Sequence, residues 1–255
     1  MTAELVERLR AAGCVYAEDE ARLLAEHASG PELELLVARR TAGEPLEHLL
    51  GWVEFRGTRL SVGPGVFVPR ARSQVLVSAT LHHVRAVAEP VVVELCCGVA
   101  PVGAAVLAER PDAQVHASDI DVTALVHARR NLGPHAHVRQ GDLFAAVPRA
   151  LRRRVDVLVA NAPYVPSAEL AFMPPEAREH EPRHTLDGGA DGVALHRRIA
   201  DGAEPWLAAE GIVVVETGRQ QSAQTAAALR SAGLETEVWT DDEVDGTAVV
   251  ARRPR

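Results

Sequence analysis

The pattern of hydrophobic and polar positions changes near residue 70 of the chain. Before that point, residues 1–50 repeat apolar side chains at helical spacing, which predicts short helices. Residues 52–62 then alternate around Gly57, a pattern typical of a β-hairpin. Glycine and proline cluster just after it and mark a joint. We therefore predict a small helical domain with a hairpin linker over residues 1–68 and a second domain over residues 69–255.

From residue 91 onward, short apolar runs alternate with stretches of helical periodicity. Apolar strands separated by helices are typical of a parallel sheet that helices cover on both faces. Only a turn separates the last two runs, so these two strands must be antiparallel. The pattern predicts an α/β fold with a seven-stranded, mostly parallel sheet. The predicted strands are 91–95, 114–119, 138–142, 155–160, 212–216, 235–239 and 247–251, and the predicted helices are 102–109, 122–131, 193–208 and 220–232.

Composition narrows the class of function. The 255 residues contain 27 basic side chains, all arginine, against 35 acidic ones, for a net charge of −8. Without lysine, the chain cannot form a phosphate-loop lysine contact or a Schiff base. Its acidic balance disfavours a stable complex with nucleic acid. The cysteines, Cys14, Cys96 and Cys97, fit neither a disulfide framework nor a spaced metal site. No apolar run approaches the ~20 residues of a membrane span, so we expect a cytoplasmic protein.

Acidic and small residues lie where the predicted parallel strands end, and ligands of open α/β sheets bind at these ends. The first strand runs into Glu94-Leu95-Cys96-Cys97-Gly98-Val99-Ala100, whose small residues let a ligand approach the backbone, although the G-x-G-x-x-G spacing is absent. Asp119 ends the second strand and is suited to bind both hydroxyls of a ribose. Asp142 ends the third, beside Leu143, and is suited to an adenine amine and ring. Helix capping is the alternative interpretation of these acids.

The fourth strand ends in Asn161-Ala162-Pro163-Tyr164. Pro163 restricts Ala162 to an extended conformation, so the backbone carbonyls are presented rather than folded into a helix. The Asn161 side-chain oxygen and the Ala162 carbonyl could accept both hydrogens of a planar NH₂ group, and Tyr164 could pack flat on that group. An ordinary proline turn is the alternative interpretation.

A pattern that resembles a zinc-protease motif, H-E-x-x-H, runs from His180 to His184. It binds metal only when both histidines lie on one face of a helix. Pro182 would then lie inside that helix, at a cost of about 3 kcal/mol. We therefore predict a loop at this point and no metal site.

These motifs resemble those of the class I S-adenosylmethionine-dependent methyltransferases, and more closely those of the release-factor glutamine methyltransferase (HemK-like) family. The resemblance extends over nearly the whole chain. Residues 161–164 stand where the family carries Asn-Pro-Pro-Tyr, so Ala162 replaces the first proline. Ala71-Arg72-Ser73-Gln74 stands where the family has Pro-Glu-Thr-Glu, and these departures indicate a divergent paralogue. Further family motifs resemble residues 43–46, 64–70, 175–176, 181–182, 186–189 and 191–192.

The resemblance implies a class I methyltransferase-type fold. It also implies transfer of a methyl group from S-adenosylmethionine to the side-chain amide nitrogen of a protein glutamine, with a peptide chain release factor as the expected partner. The implied catalytic residues are Asn161, Ala162, Pro163 and Tyr164. The implied cofactor-binding residues are Glu94, Cys96, Cys97, Gly98, Val99, Ala100, Asp119, Asp142, Leu143 and Asn161.

Three other functions remain open at this point. An adenine-amine nucleic-acid methyltransferase would use the same tetrapeptide, but residues 1–68 carry 7 arginines against 11 acids. A nicotinamide-dependent oxidoreductase would use the same strand-end acid, but the glycine pattern and the antiparallel end of the sheet do not suit it. The third alternative is a binding module that holds S-adenosylmethionine without turnover.

Overall fold

The computed structural model describes residues 2–134 and 136–254. Helices occupy most of residues 2–50, as the apolar spacing predicts. Their apolar faces pack together in a small core of their own, which includes Leu9, Leu24 and Val37. The predicted hairpin follows as two antiparallel strands. These elements are α1 (Thr2–Ala11), α2 (Ala17–His27), α3 (Gly30–Thr41), α4 (Leu46–Leu50), β1 (Trp52–Phe55) and β2 (Thr58–Ser61).

The rest of the described chain contains a seven-stranded, mostly parallel sheet with helices between its strands, which confirms the predicted α/β class. Its strands are β3 (Val91–Leu95), β4 (Gln114–Asp119), β5 (His137–Gln140), β6 (Val155–Ala160), β7 (Leu207–Glu216), β8 (Glu235–Asp241) and β9 (Gly246–Arg252). The spatial order is β5-β4-β3-β6-β7-β9-β8, and β9 is antiparallel to both of its neighbours. From β3 to β5 the chain adds strands towards one edge of the sheet, and from β6 onward it adds them towards the other edge. The point where this order switches, between β3 and β6, is where open α/β sheets bind ligands.

Helices cover both faces of the sheet, because successive residues of its strands point in opposite directions. The helices are α5 (Gln74–Val84), α6 (Pro101–Glu109), α7 (Val122–Leu132), α8 (Pro175–His180), α9 (Ala194–Ala203) and α10 (Ser222–Ser231). On β3, Val92 belongs to the core under α5, α6 and α7, whereas Val93 belongs to the core under α9 and α10. Short 3₁₀ turns span Ala71–Ser73, Leu143–Ala146, Arg149–Leu151, Leu170–Phe172, Arg183–Thr185 and Arg219–Gln221.

Several element boundaries differ from the sequence-based prediction, and two of them have a clear physical reason. The helix expected over 193–208 ends at Ala203, and β7 already begins at Leu207. Pro205 explains the early end, since a proline has no backbone N–H with which to continue the helical hydrogen bonds. The strand expected over 138–142 ends at Gln140, which pairs with Asp119, the last residue of β4, and the Gly141 N–H makes the last bond of this ladder to the Asp119 carbonyl at 2.9 Å. Asp142 therefore opens a 3₁₀ turn instead of closing a strand.

The hairpin packs mainly on the sheet-side core, although Trp52 of β1 also packs against the core of the amino-terminal helices. Val53, Phe55 and Leu60 are buried among side chains of α5, α6 and α7. Asn131 of α7 fixes β2 by accepting from the Ser61 N–H at 2.7 Å and donating to the Ser61 carbonyl at 3.1 Å. The division at residue 68 stays a prediction, and in packing terms the hairpin belongs with the second part.

No helix in residues 2–134 and 136–254 is both long and apolar enough to cross a membrane.

Candidate active site

A cleft of about 310 Å³ opens at the carboxyl ends of the parallel strands. Its walls come from the β3–α6 loop, the end of β4, the turn after β5, the turn after β6 and the segment that precedes α5. Every residue predicted as catalytic or cofactor-binding lines this cleft except Ala100. Ala100 is fully buried behind it, at the start of α6.

The β3–α6 loop is shaped by left-handed backbone conformations. Cys96, Gly98 and Ala100 have φ angles of 51°, 53° and 59°. A Cβ atom added to Gly98 would meet nothing within 4 Å, so the loop depends on its backbone angle rather than on lack of space. Two hydrogen bonds tie the loop to β4: Cys97 N–H donates to the Ser118 carbonyl at 3.0 Å, and Gly98 N–H donates to Asp119 Oδ2 at 2.8 Å.

Glu94 lies beneath this loop, and its side chain is committed to α6. Its carboxylate accepts from the Val102 N–H at 3.2 Å and from the Gly103 N–H at 2.7 Å. Burial raises the pKa of Glu94 to about 8, while these two N–H donors act in the opposite direction. Glu94 thus holds the start of the helix that follows the loop, and a contact between its carboxylate and a cofactor stays a prediction.

Asp119 and Asp142 lie on the cleft wall in different settings. Asp119 accepts backbone N–H groups with both oxygens, from Gly98 and, at 2.9 Å, from Asp121. Asp142 is exposed and forms an ion pair with Arg198 at 2.7 Å, and its side chain does not cap the turn that follows it. Ile120 and Leu143 provide apolar surface beside them. The cleft therefore offers acidic groups next to apolar walls.

The turn after β6 places Asn161 and Tyr164 against a buried polar network. Asn161 Nδ2 donates to Ser73 Oγ at 3.1 Å, and the Tyr164 hydroxyl donates to Glu216 Oε1 at 3.3 Å. Arg72 contacts the same carboxylate, with Nε at 3.5 Å from Oε1, and its guanidinium lies over the Tyr164 ring. Ala162 is fully buried and packs with its methyl group in the core under α9.

Two buried carboxylates at this end of the cleft, Glu216 and Glu181, are absent from the predicted site residues, although Glu181 belongs to a motif that the sequence analysis identified. Glu216, at the end of β7, is 1% exposed, and burial raises its pKa against the opposing effects of Ser73 and Arg72. Glu181 pairs with Arg70 at 2.5 Å and accepts from the Val68 N–H at 3.1 Å. In each carboxylate, Oε2 is buried without a partner among the described residues. A signal was available for Glu216, which ends an apolar strand as Asp119 does.

The sequence analysis predicts that the H-E-x-x-H residues do not lie on one helix, and the structure agrees. His180 ends α8, Glu181 is extended, and His184 lies in the next 3₁₀ turn. Glu181 is used by Arg70, and the His184 Nε2 atom lies 3.6 Å from Asp121 Oδ2. The described residues contain no group of three or more His, Cys, Asp or Glu side chains arranged to hold a metal ion.

His196 is a buried polar residue behind the Asn161 turn that the sequence did not single out. Its Nδ1 atom lies 2.9 Å from Thr225 Oγ1, which is also 2.9 Å from Thr217 Oγ1. Burial lowers the pKa of His196 to about 4, and the backbone of Ala162 acts in the opposite direction. The neutral His196 ring packs behind the turn after β6, with its centroid 6.5 Å from that of the Tyr164 ring.

Similar proteins share this fold. The methyltransferase small domain family matches residues 59–173. Two solved structures share the fold at 14% identity: a methyltransferase from Pyrococcus furiosus, with a TM-score of 0.54 over 84% of this chain and 94% of that one, and a ribosomal protein L11 methylase from Lactobacillus delbrueckii, with a TM-score of 0.52 over 73% and 81%. The sheet order is therefore that of the class I methyltransferase fold.

Sequence relatives define the family within this class. A release factor glutamine methyltransferase of Streptomyces coelicolor is 42% identical over 192 residues, which cover 74% of this chain and 68% of that protein. The protein of the same name from Mycolicibacterium smegmatis is 35% identical over 258 residues, or 93% of this chain and 90% of that protein. The chain belongs to the release factor glutamine methyltransferase family.

Proposed function

We propose that this protein transfers a methyl group from S-adenosylmethionine to the side-chain amide nitrogen of a glutamine in a peptide chain release factor. The observation that carries the proposal is the Asn161 side chain, which faces the cleft beside the β3–α6 loop with its Nδ2 already donating to Ser73. The names of the relatives support the choice of substrate. The cytoplasmic location stays a prediction.

The residues of the cleft fit S-adenosylmethionine. Asp119 offers a carboxylate at the end of β4, where a ribose binds in nucleotide-binding α/β folds. The neighbouring side chain, Ile120, is 51% exposed although it is apolar, and with Leu143 it forms a surface suited to an adenine ring. The Ser118 hydroxyl is buried without a partner among the described residues, next to the loop. When bound, this cofactor supplies a methyl group that its sulfonium makes electrophilic.

The chain's contribution to the reaction is to orient the acceptor. An amide nitrogen is a poor nucleophile because its lone pair is delocalised. Asn161 Oδ1 and the Ala162 carbonyl would accept its two hydrogens, aim the nitrogen at the methyl group and stabilise the positive charge that develops there. Hydrogen bonds to a charged group contribute about 1.5–3 kcal/mol each. Proximity supplies several kcal/mol more, about 7–11 at best.

Charge favours a protein acceptor over an adenine base. Residues 1–68 carry 7 arginines and 11 acids, so the helical part would repel phosphates. This part lies against α8, since Arg40 of α3 is 3.1 Å from Glu176, and α8 leads into the cleft residue Glu181. Its net negative charge therefore disfavours a phosphate backbone bound beside it.

The test is methyl transfer from labelled S-adenosylmethionine to a release-factor domain, to the same domain with its acceptor glutamine changed to alanine, and to nucleic acid. We expect label in the first substrate alone, at the glutamine side chain by mass spectrometry. Asn161→Ala should lower kcat by at least about 100-fold and leave the Kd for S-adenosylmethionine within about threefold, because the lost contacts form in the transition state.

Asp201→Ala is the matched control, since Asp201 is exposed on α9 and lies outside the cleft. It should leave both the rate and the affinity unchanged. Label that appears only in nuclease-sensitive material would establish a base as the acceptor. Tight cofactor binding without turnover on any substrate would favour the binding-module alternative.

A further inference from the structure

We propose that the β5 edge of the sheet binds the phosphodiester backbone of a nucleic acid, outside the cleft. Six exposed arginines form this surface, which we call the basic edge: Arg129, Arg130, Arg139, Arg149, Arg152 and Arg154. None of them lines the cleft. The proposal goes beyond the proposed function and does not depend on it, because the bound strand is held by the basic edge and is not the methyl acceptor.

The charge of the chain is distributed unevenly along the sequence. Residues 129–154 contain seven arginines and one acid, Asp142, for a net charge of +6. All other residues together contain 20 arginines and 34 acids, for a net charge of −14. Phosphate binding depends on the local field, so the acidic balance of the whole chain does not exclude it at this segment.

This basic segment follows one edge of the sheet. It runs from the end of α7 through β5, the first strand in the spatial order, to the start of β6. Arg129 and Arg139 line one groove with His137, whose ring stacks on that of His116 of β4 with the centroids 4.6 Å apart. Burial lowers the pKa of His116 to about 4, and His137, Arg139 and Arg154 act in the same direction. Arginines from three parts of the segment are therefore neighbours in the fold.

The arginines of the basic edge are not neutralised by neighbouring acids. Among residues 2–134 and 136–254, none of the six forms an ion pair, whereas seventeen of the other twenty described arginines do. The one acid of the segment, Asp142, already pairs with Arg198 of α9 at 2.7 Å. Arg129 donates to a carbonyl of its own helix and Arg152 lies over the Trp206 ring, and neither contact cancels the charge.

The side chains of this surface favour phosphates over a protein partner. Protein interfaces are organised around apolar and aromatic anchors that become buried. The large apolar side chains that are exposed in the described chain all lie outside residues 129–154. Exposed guanidinium groups on several elements fit a backbone that carries one charge per nucleotide, and each planar guanidinium can pair with two phosphate oxygens.

Protection of the sheet edge does not account for these charges. Charged side chains on an edge strand keep that strand from pairing with another chain. This role requires charges on β5 itself, and of the six arginines only Arg139 lies there. The other five lie on α7 or between β5 and β6, so a ligand explains them better than edge protection does.

The test is fluorescence anisotropy of labelled single-stranded RNA, duplex RNA and duplex DNA with the full-length protein, and these three arms identify the source of the backbone. For a single strand, six phosphate contacts would weaken binding by up to about 300-fold between about 50 and 200 mM salt. The triple variant Arg129→Gln, Arg139→Gln, Arg154→Gln should raise Kd at least about tenfold and reduce the slope of log affinity against log salt by about 2.

The matched control carries Arg22→Gln, Arg230→Gln and Arg252→Gln, which replace exposed arginines on α2, α10 and β9 and give the same change in net charge. It should bind nucleic acid like wild type. An equal loss of affinity in the two triple variants would overturn the proposal, because net charge alone would then determine binding.

Three further outcomes would also overturn the proposal. They are a lack of binding to all three nucleic acids, binding of poly-glutamate in their place, which would assign the basic edge to an acidic protein, and transfer of labelled methyl groups to the bound strand, which would place that strand in the cleft. Methylation of the release-factor domain is measured separately. If the wild type methylates no glutamine, the proposed function fails, and the comparison of the two triple variants still decides the role of the basic edge.

Discussion

Asp119 has two structural contacts in addition to the ribose contact that we propose. Its oxygens accept the Gly98 and Asp121 N–H groups and so join the β3–α6 loop to the end of β4. We predict that Asp119→Ala weakens S-adenosylmethionine binding at least about tenfold, since a charged two-point contact contributes about 1.5–3 kcal/mol. Calorimetric titration of the variant measures this.

The control for Asp119→Ala must separate lost contact from lost folding. Asp201→Ala removes an exposed carboxylate elsewhere and should bind the cofactor like wild type. The thermal midpoint of Asp119→Ala reports the cost of the two backbone contacts. If affinity stays at the wild-type value in a variant with a lowered midpoint, the side chain only supports the loop and does not bind the ribose.

For individual residues, the sequence predicted the side chains that follow the ends of strands, but not the residues that form hydrogen bonds or ion pairs with them. Asn161 and Asp119 follow apolar strands directly, so their positions along the chain already place them at the cleft. Ser73 and Arg72 lie in a short turn that has no periodic pattern, and only the tertiary fold brings them to Asn161 and Glu216. Contacts between residues so far apart in sequence leave no local signal.

At the level of secondary-structure elements, the buried carboxyl of Glu94 joins β3 to the start of α6 through two hydrogen bonds. Burial raises the pKa of Glu94 to about 8, from an ordinary value near 4.5. Between these two pH values the unfolded chain has lost the proton and the folded chain keeps it, so stability falls as pH rises. The contribution is fully present below about pH 4.5 and is lost as pH rises toward 8.

We predict that Glu94→Gln removes this pH dependence. The free energy of unfolding of wild type, minus that of the variant, should decrease by roughly 3–5 kcal/mol between about pH 5 and pH 8. Urea denaturation at a series of pH values provides the measurement. Glu7→Gln, an exposed change of the same charge on α1, serves as the control. Parallel curves for wild type and Glu94→Gln would contradict the prediction.

Strands and helices were largely predictable because each has its own hydrophobic period. Each apolar run overlaps one of the seven sheet strands. Errors occurred at ends, where one residue can override the pattern, as Pro205 does after α9 because it has no backbone N–H to donate. β5 ends at Gln140, which pairs with the last residue of β4, and no local pattern indicates where a partner strand ends.

For the whole molecule, the packing of the hairpin determines where the chain can be cut. Buried side chains of β1, β2 and the segment after them are at most 6% exposed and belong to the sheet-side core: Val53, Phe55, Leu60, Val62, Val66 and Val68. The helices before residue 51 have a separate core. Truncation before the hairpin therefore removes the helical core and leaves the sheet-side core complete.

We predict that deletion of residues 1–50 leaves a folded protein that binds S-adenosylmethionine and has lost methylation of the release factor. Deletion of residues 1–68 should instead unfold the remainder, because burial of each large apolar side chain contributes about 1.5–3 kcal/mol. Circular dichroism and calorimetry compare the two truncations. Equal stability of both would show that the hairpin does not contribute to the sheet-side core.

The left-handed turn at Cys96, Gly98 and Ala100 also bears on how such loops evolve. Selection acts on the backbone angle, and a residue other than glycine can hold that angle at a cost of about 1–2 kcal/mol when its neighbours fix the turn. Glycine is therefore not required at every position of such a turn. Only Gly98 of the three is a glycine, although all three positions have φ between 51° and 59°. A search for a glycine signature would pass over a loop whose shape is intact.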